Sequence, residues 1–188
     1  MPRRFSIKPT LTLRGRTFKG LRGFAGKPAH PPLTDIPVAA YVLVAGFDTA
    51  AYIAGAGSSI ARELYLAASF VLIAGAAVSV LTAATGFWDW LRSTEPGTQA
   101  RRTANWHMAV MLTVTAIVVA DLIVRISQWD HASPSSLVLG LSLAAGTLVA
   151  YGATYGGTLV FDYGFNVENA GDHPAWRRSE VDVLPGDD

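Results

Sequence analysis

Apolar residues fall into four long stretches, 36–56, 64–87, 106–126 and 137–161, divided by short polar segments. Each is at least about 20 residues long, enough at a rise of roughly 1.5 Å per residue to cross a hydrocarbon core of about 30 Å. The pattern predicts four membrane-spanning helices. The rival reading of the first stretch is a cleavable signal, with Ala54-Gly55-Ala56 as its small-residue site. A polar lead of 35 residues is too long for a signal's charged opening, so the stretch is expected to be kept. Thr34 or Asp35 is placed to cap helix one, with Pro37 in the first turn, where a missing N–H costs nothing. Ser133 or Ser135 with Pro134 serves helix four in the same way. Small residues four apart, Gly152 with Gly156 and Ala51 with Gly55, let backbones approach closely in lipid.

The expected fold class is all-α: an integral-membrane, antiparallel four-helix bundle over 36–161, with a basic arm over 1–35 and an acidic tail over 162–188. The two halves share a hairpin shape but no residue pattern, so no internal repeat is expected.

Composition strengthens this picture. Of 188 residues 51% are apolar and 15% charged, too few polar groups to cover a water-soluble core. A net charge of +1 argues against nucleic acid as a partner. The absence of cysteine removes disulfides, iron–sulfur clusters and thiolate chemistry. Arg3, Arg4, Lys8, Arg14, Arg16, Lys19, Arg22 and Lys27 all precede the first acid, Asp35, whereas Asp172, Glu180, Asp182, Asp187 and Asp188 crowd the end.

Cations also set the orientation. Arg92, Arg101 and Arg102 lie between helices two and three, and Arg177 and Arg178 follow helix four. The positive-inside rule then makes both termini and the middle loop cytoplasmic. The outer loops are too short to form a receptor or catalytic domain. Within the arm, segment 10–27 interleaves Leu11, Leu13, Phe18, Leu21 and Phe24 with basic residues. It suits an anionic leaflet or a partner subunit, although Gly15, Gly20, Gly23 and Gly26 favour a plain topology-fixing tail.

Two sets of polar residues carry the candidate chemistry. Four crossings bring His30, Asp35, Asp89, His107 and Asp162 to the inner end, with Trp88, Trp90, Asn105, Trp106 and Tyr155. His30 and His107, in a Pro-stiffened segment and at a helix start, are expected within about 15 Å of each other, judged from bundle spacings. Paired imidazoles can ligate haem b, histidine with carboxylate can hold a divalent metal or a quinone head group, and all of these residues can equally be interface anchors. No His-x-x-x-His pair sharpens a metal site. Nearer the outer end, Asp121 and Arg125 are four apart in the order that favours an ion pair, and Asp48 reaches a similar depth. They read either as a structural bridge or as a proton or ion relay. No nucleotide loop and no hydrolase elbow occurs, and His131 and His173 sit in polar segments.

The run GKPAHPPLTDIP over 26–37 resembles the His-Pro opening of an uncharacterised bacterial membrane family, domain of unknown function 2231. Gly86 and Asp89 at the end of helix two, His107, and Gly156, Gly157, Thr158, Leu159 and Val160 resemble its other landmarks, so the likeness runs from Gly26 to Val167. Lys27 stands where the family pattern tends to have histidine, which weakens a multi-histidine metal site. The resemblance implies no defined activity. Family members joined to Rieske-type domains imply a redox setting, and with it a haem b or quinone contact at His30, His107, Asp89 and Asp35. Sequence thus leads to a redox-associated subunit of a membrane complex, with a cofactor-free structural accessory subunit as the alternative. An enzyme acting alone ranks third.

Overall fold

The computed structural model describes residues 19–23 and 27–167, and the greater part of the basic arm and the acidic tail lies outside them. Four helices follow one another: α1 (His30–Ala54), α2 (Ser59–Ser93), α3 (Gln99–Ser127) and α4 (Ser136–Gly157), the last continued by a π turn, Thr158–Asp162. All four are long and apolar enough to cross a membrane. Each helix packs on its neighbours in cyclic order, so α1 lies diagonally across from α3 and α2 across from α4. Ala40, Tyr41, Val44, Ala68, Leu72, Val114, Val118, Ala145 and Val149 fill the middle of the bundle, drawn from all four helices. Outward faces are apolar too: Phe70, Val80, Leu112, Ile123 and Ile126 are each at least 60% exposed. Such a girdle matches lipid and would aggregate in water.

Helix one begins earlier than the sequence suggested. Its first turn carries Pro31 and Pro32, positions at which the N–H has no helical acceptor anyway, and neither Thr34 nor Asp35 is a cap. Pro37 therefore lies inside the helix, where it deprives the Leu33 carbonyl of its donor. The Thr82 hydroxyl of α2 donates to that carbonyl at 3.1 Å, so the orphaned acceptor becomes an interhelical bond. Helix four is capped as expected, with Ser135 accepting from Val138 N. Helix two runs well past its apolar stretch at both ends, since hydropathy marks where lipid stops and not where a helix does.

The two hairpins repeat one shape and one register of buried positions, although, as the sequence suggested, not a residue pattern. Advancing α1 by 77 positions carries buried Pro37, Tyr41, Val44 and Asp48 onto buried Val114, Val118, Asp121 and Arg125. Advancing α2 by 70, the interval from Thr82 to Gly152, carries buried Ala68, Leu72, Gly75 and Asp89 onto buried Val138, Ser142, Ala145 and Leu159. The bundle is thus two hairpins, each entering from the same end, about a pseudo-twofold axis along its length. The 7-position difference between the shifts is about two helical turns, by which α4 starts later than α2. Across 30–51 only His30, Ala39 and Val42 are identical to their counterparts, His107, Ala116 and Val119.

Glycines admit the closest approaches. A Cβ on Gly75 would lie 2.6 Å from Ala40 Cβ, and one on Gly146 would lie 3.0 Å from Ala45 Cβ, so α1 is packed between α2 and α4 at glycine.

Candidate functional site

At the end of the bundle that holds the first turn of α1, His30 reaches across to α2. Its Nδ1 lies 3.0 Å from the Thr82 carbonyl oxygen and 3.2 Å from Thr85 Oγ1. A carbonyl can only accept, so Nδ1 carries the hydrogen and the neutral ring keeps its lone pair on Nε2. His107 repeats the contact on the second hairpin, its Nδ1 donating to the Gly152 carbonyl of α4 at 2.9 Å. Four residues beyond each accepting carbonyl stands a glycine. A helical side chain leans back over the turn before it, so a side chain at 86 or 156 would lie against the imidazole that uses the carbonyl. The fit is tighter in the first hairpin. A Cβ at Gly86 would come within 2.6 Å of His30 Cε1, against 3.4 Å from Gly156 to His107 Cε1. This His, carbonyl and glycine triplet is the clearest mark of the internal repeat.

The other inner residues divide. Asp89 is buried and accepts from the backbone N–H of Leu21 at 2.9 Å, which ties the segment before α1 to the end of α2. That segment turns back on itself through Gly23 N–H to the Lys27 carbonyl and Ala29 N–H to the Leu21 carbonyl. Gly20 is needed there, since a Cβ would lie 2.5 Å from Asp89 Oδ1 and 2.4 Å from Asn166 Nδ2. His30 is within electrostatic reach of both Asp89 and His107. Asp35 is not brought to this group: it is exposed. With the helix starting at His30, five residues rotate Asp35 by roughly 140° away from it. Around the rim, Arg101 stacks on Trp90 at 3.6 Å and Arg92 on Trp88 at 4.9 Å, while Trp90 Nε1 donates to Asn105 Oδ1 at 2.7 Å. Tyr151 and Tyr155 share a hydroxyl hydrogen bond of 2.7 Å on the outer face of α4, and Trp106 meets Tyr155 edge-on.

At the opposite end, the structure brings Asp48, Asp121 and Arg125 together on the bundle axis, all three at most 1% exposed. Arg125 Nε donates to Asp121 Oδ1 at 2.9 Å, and Nη2 donates to Asp48 Oδ2 on the diagonal helix. Nη1 reaches Ser69 Oγ at 3.3 Å, and the Tyr65 ring lies 5.4 Å from the guanidinium carbon. Spacing on one helix pointed to Asp121 with Arg125. Ser69 and Tyr65 escaped it, because only the packing of α2 against α3 delivers them.

Among the described residues no group of three or more His, Cys, Asp and Glu is disposed to hold a metal ion. No curated protein and no solved structure matches the chain. One family model does, described as Predicted membrane protein (DUF2231), and it covers residues 26–169, from the His-Pro segment that opens α1 to just beyond the π turn that closes α4. With most of its length inside that match and four helices fit to span a bilayer, the chain belongs to this family of membrane proteins.

Proposed function

We propose that the chain is a redox-associated subunit of a bacterial inner-membrane complex, contacting haem b or a quinone through His30 and His107. The observation that carries this reading is the hydrogen bonding of the two rings. Each Nδ1–H is committed to a carbonyl, which leaves both Nε2 lone pairs available, and such an orienting bond is the usual companion of a ligating histidine. His30 and His107, on diagonal helices, would be the residues that hold such a group through Nε2, with Asp89 nearby. When bound, haem supplies one-electron transfer. The chain's own part is to keep both rings oriented through Thr82 and Gly152. A quinol head group would donate to the same Nε2 atoms.

The experiment is spectroscopic. Protein purified from its native membrane in mild detergent is expected to show a Soret band that is lost in His107→Ala, or, in the quinone case, co-purifying quinone that is lost in the same variant. Neither pigment nor quinone in the wild-type protein overturns the proposal. A structural accessory subunit then stands, a reading supported by the fact that each histidine also clasps the two helices of its hairpin.

Orientation is part of the same proposal. Arg92, Arg101 and Arg102 lie at the histidine end, so this end faces the cytoplasm with both termini. A reporter active only outside the cytoplasm, fused after Asp188, is expected to stay silent. Activity there reverses the topology.

A further inference from the structure

The outer cluster does not balance its charge. Asp48 and Asp121 present two carboxylates to one guanidinium, and all three groups are sealed from solvent. Every other group facing them can be named. Helix α2 contributes Ser69 and the Tyr65 hydroxyl, with Arg62 one turn farther out, where it donates to the Trp129 and His131 carbonyls. Helix α4 contributes Ser142, beside Asp48, and no charge. With both acids ionised the cluster would keep a net negative charge in the low-dielectric core, where an uncompensated ion is strongly unfavourable.

Hydrogen bonding locates the discrepancy. Asp48 Oδ2 takes the guanidinium, whereas Asp48 Oδ1 is buried with no hydrogen-bond partner. The neighbouring Ser142 hydroxyl lies 3.0 Å from the Leu139 carbonyl, and a hydrogen given to that carbonyl is withheld from the carboxyl. An ionised oxygen facing an acceptor gains nothing, but a protonated one becomes a donor. We propose that the Asp48–Arg125–Asp121 cluster is a proton-binding site holding one proton, carried at Asp48 Oδ1 and exchanging with the outer aqueous phase.

Polar groups lead from the cluster to the nearer end of the bundle. The Tyr65 hydroxyl reaches the Gln128 carbonyl at 3.4 Å, and Gln128 Oε1, also buried and without a partner, precedes the turn leading to His131. Towards the histidine end, Val44, Leu72, Val114, Val118 and Val149 pack around Tyr41, whose buried hydroxyl is the polar atom among them.

Infrared difference spectroscopy on the full-length protein in lipid nanodiscs tests this. At neutral pH the wild type is expected to show the carbonyl stretch of a protonated carboxylic acid, moving to lower frequency in heavy water as the proton exchanges. Asp48→Asn and Asp121→Asn should each abolish the band, because either leaves one carboxylate for one guanidinium. Asp89→Asn, at the other end of the bundle, should keep it. No such band in the wild type overturns the proposal without recourse to any variant. So does a band that survives Asp48→Asn, or one that emerges only when sodium is withdrawn, which would make the ligand a metal cation.

Discussion

Arg125→Ala is expected to be the most damaging single change in the bundle, costing about 3–5 kcal/mol of unfolding free energy in micelles. Removing the guanidinium takes away the donors to Asp121 Oδ1, Asp48 Oδ2 and Ser69 Oγ at once and leaves two carboxyl groups, at least one of them to be ionised without a counter-charge, facing each other at the axis. A substantial part of the loss is therefore the penalty on what remains. Replacing all three groups with apolar residues of similar volume, as in Asp48→Leu, Asp121→Leu and Arg125→Met together, removes that penalty and is expected to restore most of the stability. The comparison is decisive because the triple variant lacks every bond the single one lacks. Equal losses would mean that the bonds themselves, and not the stranded carboxylates, dominate.

The four spans were legible because hydropathy is what a bilayer selects. The bundle follows from short connections, and parity of crossings alone puts His30 and His107 at one end. Three features were not legible, for separable reasons. In lipid both the buried and the exposed faces of a helix are apolar, so the period that reveals a core face in a soluble protein is erased. Val42 and Val44 are the same residue two positions apart, yet only Val44 is buried. The repeat, carried by buried positions, was invisible for that reason. The start of α1 was misread because Pro37 signals a first turn unless something supplies a donor to Leu33, and that donor, Thr82, lies 49 positions away. Asp89 looked like a cofactor contact or an interface anchor. Its acceptor role towards Leu21 N–H depends on the chain folding back 68 positions earlier.

The repeat also predicts a difference between its halves. Gly86→Ala and Gly156→Ala are the same change at equivalent positions, four residues beyond the carbonyl that accepts from a histidine. In a lipid-exposed helix the swap would be neutral or slightly favourable, since alanine restricts the backbone more than glycine does. Here the added methyl at 86 would stand 2.6 Å from His30 Cε1, 3.0 Å from Nδ1 and 3.1 Å from Nε2, so the whole ring must move. The ring has little freedom, because it belongs to the first residue of α1 and its Nδ1–H is bound to Thr82. Displacing it strands that hydrogen and loosens the turn whose Leu33 carbonyl depends on the Thr82 hydroxyl. At 156 the methyl would sit 3.4 Å from His107 Cε1, ordinary contact distance. Gly86→Ala is therefore expected to cost about 1–3 kcal/mol, the range for overpacking a well-filled site, and Gly156→Ala well under 1 kcal/mol. Unfolding of both variants in the same detergent measures the difference. If the two lose equally, the closer packing of His30 on α2 does not govern the energetics of the clasp. If His30→Ala in the Gly86→Ala background recovers stability, the clash is assigned to the ring itself.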